Sequence, residues 1–518
     1  MILNTQSDVI KALSNPQTYG GKDKKVDIIH SHISILFLVG KTVYKLKRAV
    51  EYPNVDFSTP EKRKIACINE MKRSTIYAPH LIIGVKSVRR LKSGRIKIGG
   101  KTGEEIDTVL VLKRIPQQAI LNNMLPDDSF DRFETMDLAE KLSDLHAKAK
   151  VYRTKFGVDV LRRTIFANEV ILSCFAPTLF DREKLNTLIA RSLEILDKQA
   201  PLIHFRQKCG RVRKCHGDLL LSNIAYDKKE FLLFSPVEYD ETLECIDTLY
   251  DLSYLLMDME AKGLRRLTNI LFNHYMAYTN DIEGYPLLPL YQSIRAAFRA
   301  SVFARLSNLL QDEEKQNAIE MAKKYFDLAV HFLSEHHPVL IACGGLSGSG
   351  KSRVAREIGW MIDPAPGSVI LRDDVVKKQI TGLAPHQQFN KVNDTPVFEK
   401  LVYDVLREQA KMALKVGSCV IIDALFYNAA ERKAVEKLAK QMNVPFIGFW
   451  MDAPLEVRSA RVKKRRRNPS DVREVRELES QLTLKTGRIG WHKIITDASR
   501  EETIQKVLSV LKNEIQSH

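Results

Sequence analysis

Two stretches of this 518-residue chain carry residue types at the spacing that phosphoryl chemistry needs. In the first, Gly345-Leu346-Ser347-Gly348-Ser349-Gly350-Lys351-Ser352 fits Gly-x4-Gly-Lys-Ser/Thr, follows an apolar run and opens a helical pattern. Gly345, Gly348 and Gly350, with Ser347 and Ser349 between them, let successive backbone N–H groups turn inward around phosphate oxygens, and the helix start adds its positive dipole end. Such a loop places Lys351 at β- and γ-phosphates and Ser352 on Mg²⁺. In the second, Cys215-His216-Gly217-Asp218-Leu219-Leu220-Leu221-Ser222-Asn223 sets an Asp five residues before an Asn. In that layout the Asp takes the proton of an acceptor hydroxyl and the Asn oxygen holds Mg²⁺.

Further residues fit each centre. Val420-Ile421-Ile422-Asp423 reads as a buried strand ending in a carboxylate, the place from which an Asp orients Mg²⁺. Leu371-Arg372-Asp373-Asp374 also ends a strand, where Asp374, with Lys377 three residues on, is placed to orient or deprotonate an acceptor. Arg458, Arg461 and Arg465 recur at helical spacing beyond FIGFWMDAP, as a lid carrying arginines onto a phosphoryl group requires. A solvated face is the competing reading of the basic block Lys463-Lys464-Arg465-Arg466-Arg467. For the second centre, Lys45 lies on a strand pattern two residues after Val43, the spacing of a phosphate-binding lysine. Glu70, on the following helix, is its candidate ion-pair partner, and Lys47, on the same strand face, is the alternative lysine.

These residues need elements to hold them. HISILFLVGKTVYKLKRAV (32–50) predicts two strands around a turn at Val39-Gly40-Lys41, and Thr59–Tyr77 a helix capped by Ser58 or Thr59 with Pro60 at its first position. Leu81–Val88, Arg95–Ile98 and Thr108–Lys113 predict further strands, and 128–333 is mainly helical apart from strand-like stretches near Ile224 and Phe231–Phe234. Pro338 marks a boundary. Beyond it, apolar runs at Val339–Ala342, Val369–Leu371, Val420–Ile422 and Phe446–Trp450 alternate with helical stretches, which is the signature of a parallel sheet.

The composition excludes several classes. A 44% hydrophobic chain of this length builds buried cores and more than one domain. The N-terminus lacks the basic and apolar regions of a secretory signal, and no apolar run reaches the roughly 18 to 20 residues of a membrane span. Seven scattered cysteines without a CxxC pair argue against a disulfide framework or zinc site and for a reducing cytoplasm. The net charge of +17 invites an anionic partner. It divides into about +8 for 1–337 and about +9 for 338–518, an even spread that does not favour nucleic acid.

Residues 338–518, on GLSGSGKS, the RDD stretch, VIIDALF and the arginine-rich helix, resemble the small P-loop kinases, whose acceptors range from sugars and antibiotics to nucleic-acid ends. Residues 1–335 resemble the aminoglycoside phosphotransferase group of the protein-kinase-like fold on HISILFLVGKTVYKLK, CINEMKR, HGDLLLSNI and VEYDETLECIDTLYDLSYLLMDME. The whole chain is similar to bacterial bifunctional aminoglycoside phosphotransferase/ATP-binding proteins. The resemblance implies α+β and α/β architecture: a bilobal kinase-like domain (small lobe about 1–115, large lobe about 116–335), then a P-loop NTPase domain with a parallel sheet at 338–518. It implies an ATP- and Mg²⁺-dependent phosphotransferase acting on an unidentified hydroxyl-bearing acceptor. Three departures bear on the first domain: the family's metal-binding Asp is replaced by Ser235, with Glu238 or Asp240 as substitutes, no Gly-rich GxGxxG loop lies between the first strands, and Leu220 stands where the family has His. The first domain is then either a second kinase or a binding and regulatory module. A nucleotide-sensing or nucleic-acid-binding protein is the alternative for the whole chain.

Overall fold

The computed structural model describes residues 6–516 apart from 21–24, 32, 53–54, 125–129, 238–240, 363–364, 388, 390–394, 464–477, 479–480, 482–483, 485 and 498. The chain forms two compact units, Met1–Phe130 with Leu145–Leu161 and Ile203–Leu255, and Asp131–Asp144 with Arg162–Leu202 and Leu256–His518. This division does not follow the expected junction at 335–338. Much of the helical middle groups with the P-loop region, for a reason visible in the helix Arg265–Thr279 below.

In the first unit, strands β1 (Val26–His30), β2 (Ser34–Val39) and β3 (Thr42–Lys47) form an antiparallel meander. The hairpin β4 (Glu51–Tyr52) and β5 (Val55–Asp56) leads to the helix Pro60–Tyr77, which Thr59 caps by accepting the Lys62 N–H. Strands β6 (Ile82–Arg90), β7 (Ile96–Ile98) and β8 (Glu104–Lys113) complete a six-stranded sheet in the order β1-β2-β3-β8-β6-β7. Its buried face carries Ile35, Phe37, Leu46, Val88, Val109 and Val111. Strand β1, whose exposed Ile28 and Ile29 sit at the sheet edge, is absent from the sequence-based expectation. Strands β9 (Val212–Lys214) and β12 (Cys245–Asp247) pair around the kinase-like loop, as do β10 (Ile224–Asp227) and β11 (Glu230–Leu233).

In the second unit, β13 (Leu340–Gly344), β14 (Val369–Arg372), β15 (Val420–Asp423), β16 (Phe446–Asp452) and β17 (His492–Ile495) form an all-parallel sheet in the order β14-β15-β13-β16-β17. The central strand β13 is buried along its length, which its continuous apolar sequence anticipates. One core face joins Ile341, Cys343, Ile421 and Phe449 to Val354 and Ile358 of the helix Lys351–Gly359 and to Val507 and Leu511 of the helix Arg500–Gln516. Burial of each large aliphatic side chain there contributes about 1.5–3 kcal/mol. Among the described residues no helix is long and apolar enough to cross a membrane.

The helix Arg265–Thr279 is fastened to this sheet by its polar side chains. Asn273 Oδ1 accepts the Ile370 N–H of the edge strand β14 at 2.7 Å, Asn273 and Asn269 Nδ2 donate to Ser368 O at 3.1 and 3.0 Å, and Arg265 Nε donates to Trp360 O at 2.7 Å. These bonds explain why the helix belongs to the compact unit of the P-loop region.

Gly448 on β16 tests the packing of the other half of the sheet. A Cβ there would lie 2.4 Å from Cγ of Trp491, whose ring is held by Phe426 and whose Nε1 donates to Glu436 at 2.8 Å. Gly448→Ala is expected to destabilise the protein by roughly 1–3 kcal/mol. The check is urea unfolding, in which the midpoint falls while the slope stays unchanged.

Candidate active site

The phosphate-binding loop runs from β13 into the helix Lys351–Gly359, and its path depends on glycine. Gly345 (φ +144°) has no room for a Cβ, which would sit 2.4 Å from Met451 O, and Gly348 (φ +80°) would meet Arg458 O at 2.7 Å. Lys351 is buried at the start of the helix, with Ser352 beside it. Asp423 ends β15, in register with Arg372 of β14 and Cys343 of β13, and is 2% exposed. Burial pushes its carboxyl up from the usual range, against the charges of Lys351 and Arg372 and a hydrogen bond from Ser352. Its Oδ1 has no hydrogen-bond partner.

Asp374 lies in the first turn of the helix Asp373–Ile380. Arg372 Nη2 lies 2.7 Å from its Oδ2, and the same guanidinium lies 3.9 Å from Asp423. Ser352, Asp423, Arg372 and Asp374 line one cavity of about 260 Å³. The cavity thus brings together Ser352, Asp423 and Asp374, which sequence spacing singles out.

The arginines of the helix Leu455–Lys463 have other employment than the lid role expected of them. Arg458 Nε donates to Ser347 O at 2.8 Å, and Arg461 donates to Gly348 O at 3.4 Å, to Thr496 Oγ1 at 3.0 Å and to Thr496 O. Thr496 Oγ1 in turn donates to Ser349 O at 2.6 Å. The helix begins shortly after β16 and runs beside the loop, so side chains three positions apart reach loop carbonyls and brace them. Arg465 lies outside the described residues. Gln481, which spacing did not single out, accepts the Ser347 N–H at 2.9 Å and donates to Ser347 Oγ at 2.8 Å.

The second centre is assembled on different supports. Glu70 is 1% exposed and faces both candidate lysines, Lys45 and Lys47, at 2.6 Å each, so the alternatives are partners of one carboxylate. The helix is pinned to β8 by Arg63, whose guanidinium grips Asp107 at 2.8–3.1 Å. Asn223 Nδ2 donates to Asp218 O and Oδ2, both at 2.9 Å. The backbone N–H groups of His216 and Gly217 donate to Asp251 at 3.0 and 2.9 Å, a loop-holding carboxylate that its helical surroundings concealed in the sequence. Ser235 adopts φ +58° in a segment bonded to this loop through Phe234 N–H to Asn223 O and Val237 N–H to His216 O. A hydroxyl there offers no anionic oxygen for Mg²⁺, and Glu238 and Asp240 lie outside the described residues.

His146, Cys215 and Asp251 come close enough to hold a metal ion. Both Asp251 oxygens accept backbone N–H groups, and the Cys215 thiol donates to Ile246 O, so these side chains serve the backbone of the loop. The cluster is a structural knot.

Residues 340–484 match the family described as AAA domain. An uncharacterized protein of Mycobacterium tuberculosis is similar at 23% identity over 500 residues, covering 95% of this chain and 96% of its own length. Similar solved structures include a choline/ethanolamine kinase family protein from Mesorhizobium loti (11% identity, TM-score 0.37, 64% of this chain and 99% of that one). Another is the APS kinase of Mycobacterium tuberculosis in complex with AMPPNP and APS (18% identity, TM-score 0.26, 35% and 99%).

Although burial pushes the Glu70 carboxyl up, Lys45 and Lys47 outweigh it and hold its pKa at about 2, below the ordinary 4.5. A depressed folded pKa contributes stability that is present above the unfolded value and lost as pH falls toward the folded one. Wild-type stability should therefore drop between pH 4.5 and about 2. Glu70→Gln should be less stable at neutral pH by roughly 3–5 kcal/mol, since two buried lysines lose their counter-charge. It should also show a flatter acid limb; parallel limbs in denaturation at several pH values would contradict the pairing.

Proposed function

We propose that the protein is an ATP-dependent phosphotransferase whose catalyst is the P-loop domain. The observation that carries this reading is the single cavity onto which Ser352, Asp423 and Asp374 converge beside the glycine loop. The AAA-domain match over the same residues supports nucleotide binding.

In this reading the loop N–H groups and Lys351 hold the β- and γ-phosphates of ATP. Asp374, oriented by Arg372, accepts the proton of the acceptor hydroxyl as its oxygen bonds to the γ-phosphorus. The bond from that phosphorus to the β,γ-bridging oxygen breaks, and ADP leaves with the bridging oxygen. The buried, partnerless Asp423 Oδ1 near Ser352 fits a divalent cation, so Ser352 and Asp423 would hold Mg²⁺. That ion supplies neutralisation of phosphate charge when bound. Arg458, Arg461 and Thr496 keep the loop carbonyls turned outward, so the loop is shaped before nucleotide arrives.

The kinase-like loop of the first unit is read as a binding or regulatory module. It retains Asp218, Asn223, Lys45 and Glu70, while Ser235 stands where the resembled family places its metal-binding Asp.

Lys351→Ala should lower transfer of the ATP γ-phosphate by about 100-fold or more, since a preorganised phosphate contact is removed. Asp218→Asn should leave it nearly unchanged. Turnover that survives Lys351→Ala and disappears in Asp218→Asn would move the active site to the first unit.

A further inference from the structure

The cavity at Ser352 and Asp423 has a second wall that the P-loop segment does not supply. His274 and Tyr278 come from the helix Arg265–Thr279, and Asp137 and Glu140 from the helix Arg132–Lys148, both earlier in the chain, and all four residues belong to the same compact unit. The wall is built in. Besides the asparagine bonds to β14, Gln379 Nε2 of the helix Asp373–Ile380 donates to Ala277 O at 3.3 Å.

We propose that this cavity is the acceptor site of the P-loop kinase and that the acceptor is a small alcohol carrying a cationic amino group. The inference rests on the P-loop reading above. At one end, Asp423 presents a buried oxygen without a partner, beside the Ser352 that opens the helix. Of the cations at that end, Arg372 bonds Asp374 and lies 3.9 Å from Asp423, and Arg356 follows Ser352 by one helical turn, its Nε without a hydrogen-bond partner. Lys378 Nζ, also on the cavity, donates to Pro385 O.

The other wall is acidic and aromatic. Asp137 and Glu140 lie one turn apart on one helix, and Glu140 is 3.5 Å from His386, whose ring stacks on Tyr278 with centroids 6.3 Å apart. Burial and the charge of Arg372 push His274 down to about 4, so it adds no positive charge at neutral pH. A cation beside two carboxylates and a tyrosine ring is attracted by both, whereas a carboxylate-bearing acceptor meets like charge. The volume of about 260 Å³ falls below the roughly 300–1,000 Å³ typical of drug-sized ligands, which favours a molecule no larger than a monosaccharide.

The test uses the full chain and three matched probes, glucosamine, glucose and gluconate, measured by equilibrium binding in the presence of a non-hydrolysable ATP analogue and by transfer from ATP. Glucosamine should bind about 10-fold or more tightly than glucose, and gluconate more weakly than either. In Asp137→Asn/Glu140→Gln the glucosamine Kd should rise about 10-fold, toward that of glucose, with ATP affinity held within about twofold as evidence of folding. Failure of glucosamine to bind, equal or tighter binding of glucose or gluconate, or an unchanged glucosamine Kd in the double variant would each overturn the proposal. Lys351→Ala separates the two readings: if it leaves ATP turnover intact, the P-loop assignment fails. If it abolishes turnover while the amine preference is absent, only the acceptor class fails.

Discussion

An edge strand leaves one row of backbone N–H and C=O groups without a ladder partner, and the site of the second unit depends on how that row is satisfied at β14. One side of β14 pairs with β15. On the other, Asn273 takes the Ile370 N–H, and Asn269 and Asn273 share the Ser368 carbonyl. Two asparagines one turn apart on a helix thus stand in for a further strand. Because β14 ends in Arg372 and Asp373 begins the next helix, fixing this edge also fixes Asp374 against Asp423, which lies opposite Arg372 in the β14–β15 register. The same helix then presents His274 and Tyr278 to the cavity.

Charge pairing sets the next level of order. A buried ion without a counter-charge costs several kcal/mol, so the structure groups its charges. Arg372 faces both Asp374 and Asp423, and Glu70 faces both Lys45 and Lys47. The two groupings differ in what they leave over. Glu70 is matched by two cations, and its carboxyl is held far down. Asp423 retains an unmatched oxygen and a carboxyl pushed up by burial, as a site awaiting a cation would.

What could be read from the sequence follows from the range of the interactions. The glycine loop, the strand-terminal Asp423 and the Thr59-capped helix are local patterns, and each was legible. The short edge strands β1 and β17 carry weak patterns, and neither was anticipated. Asn273, Asp137 and Glu140 act across sequence separations of about a hundred residues or more, where spacing carries no signal. The arginine helix was located by periodicity, but its target depends on where the chain places it beside the loop, and there Arg458 and Arg461 met carbonyls. The boundary at Pro338 marks a true change of pattern, yet compactness follows packing, and the polar face of Arg265–Thr279 packs forward in sequence.

The kinase-like loop of the first unit shows why shape and chemistry need separate evidence. Its backbone is held by Asp251 through two N–H groups, and Asp218 is held by the Asn223 amide. Gly217 at φ +83° makes the turn, where a Cβ would meet Leu243 O at 2.7 Å. All of these contacts are internal to the protein. Phosphoryl transfer asks in addition for anionic oxygens that hold metal against the phosphates, and at position 235 the neighbouring segment has a serine hydroxyl. The P-loop cavity differs because its unmatched element is itself a carboxylate oxygen, and a carboxylate buried in that way is a group that a divalent cation can complete.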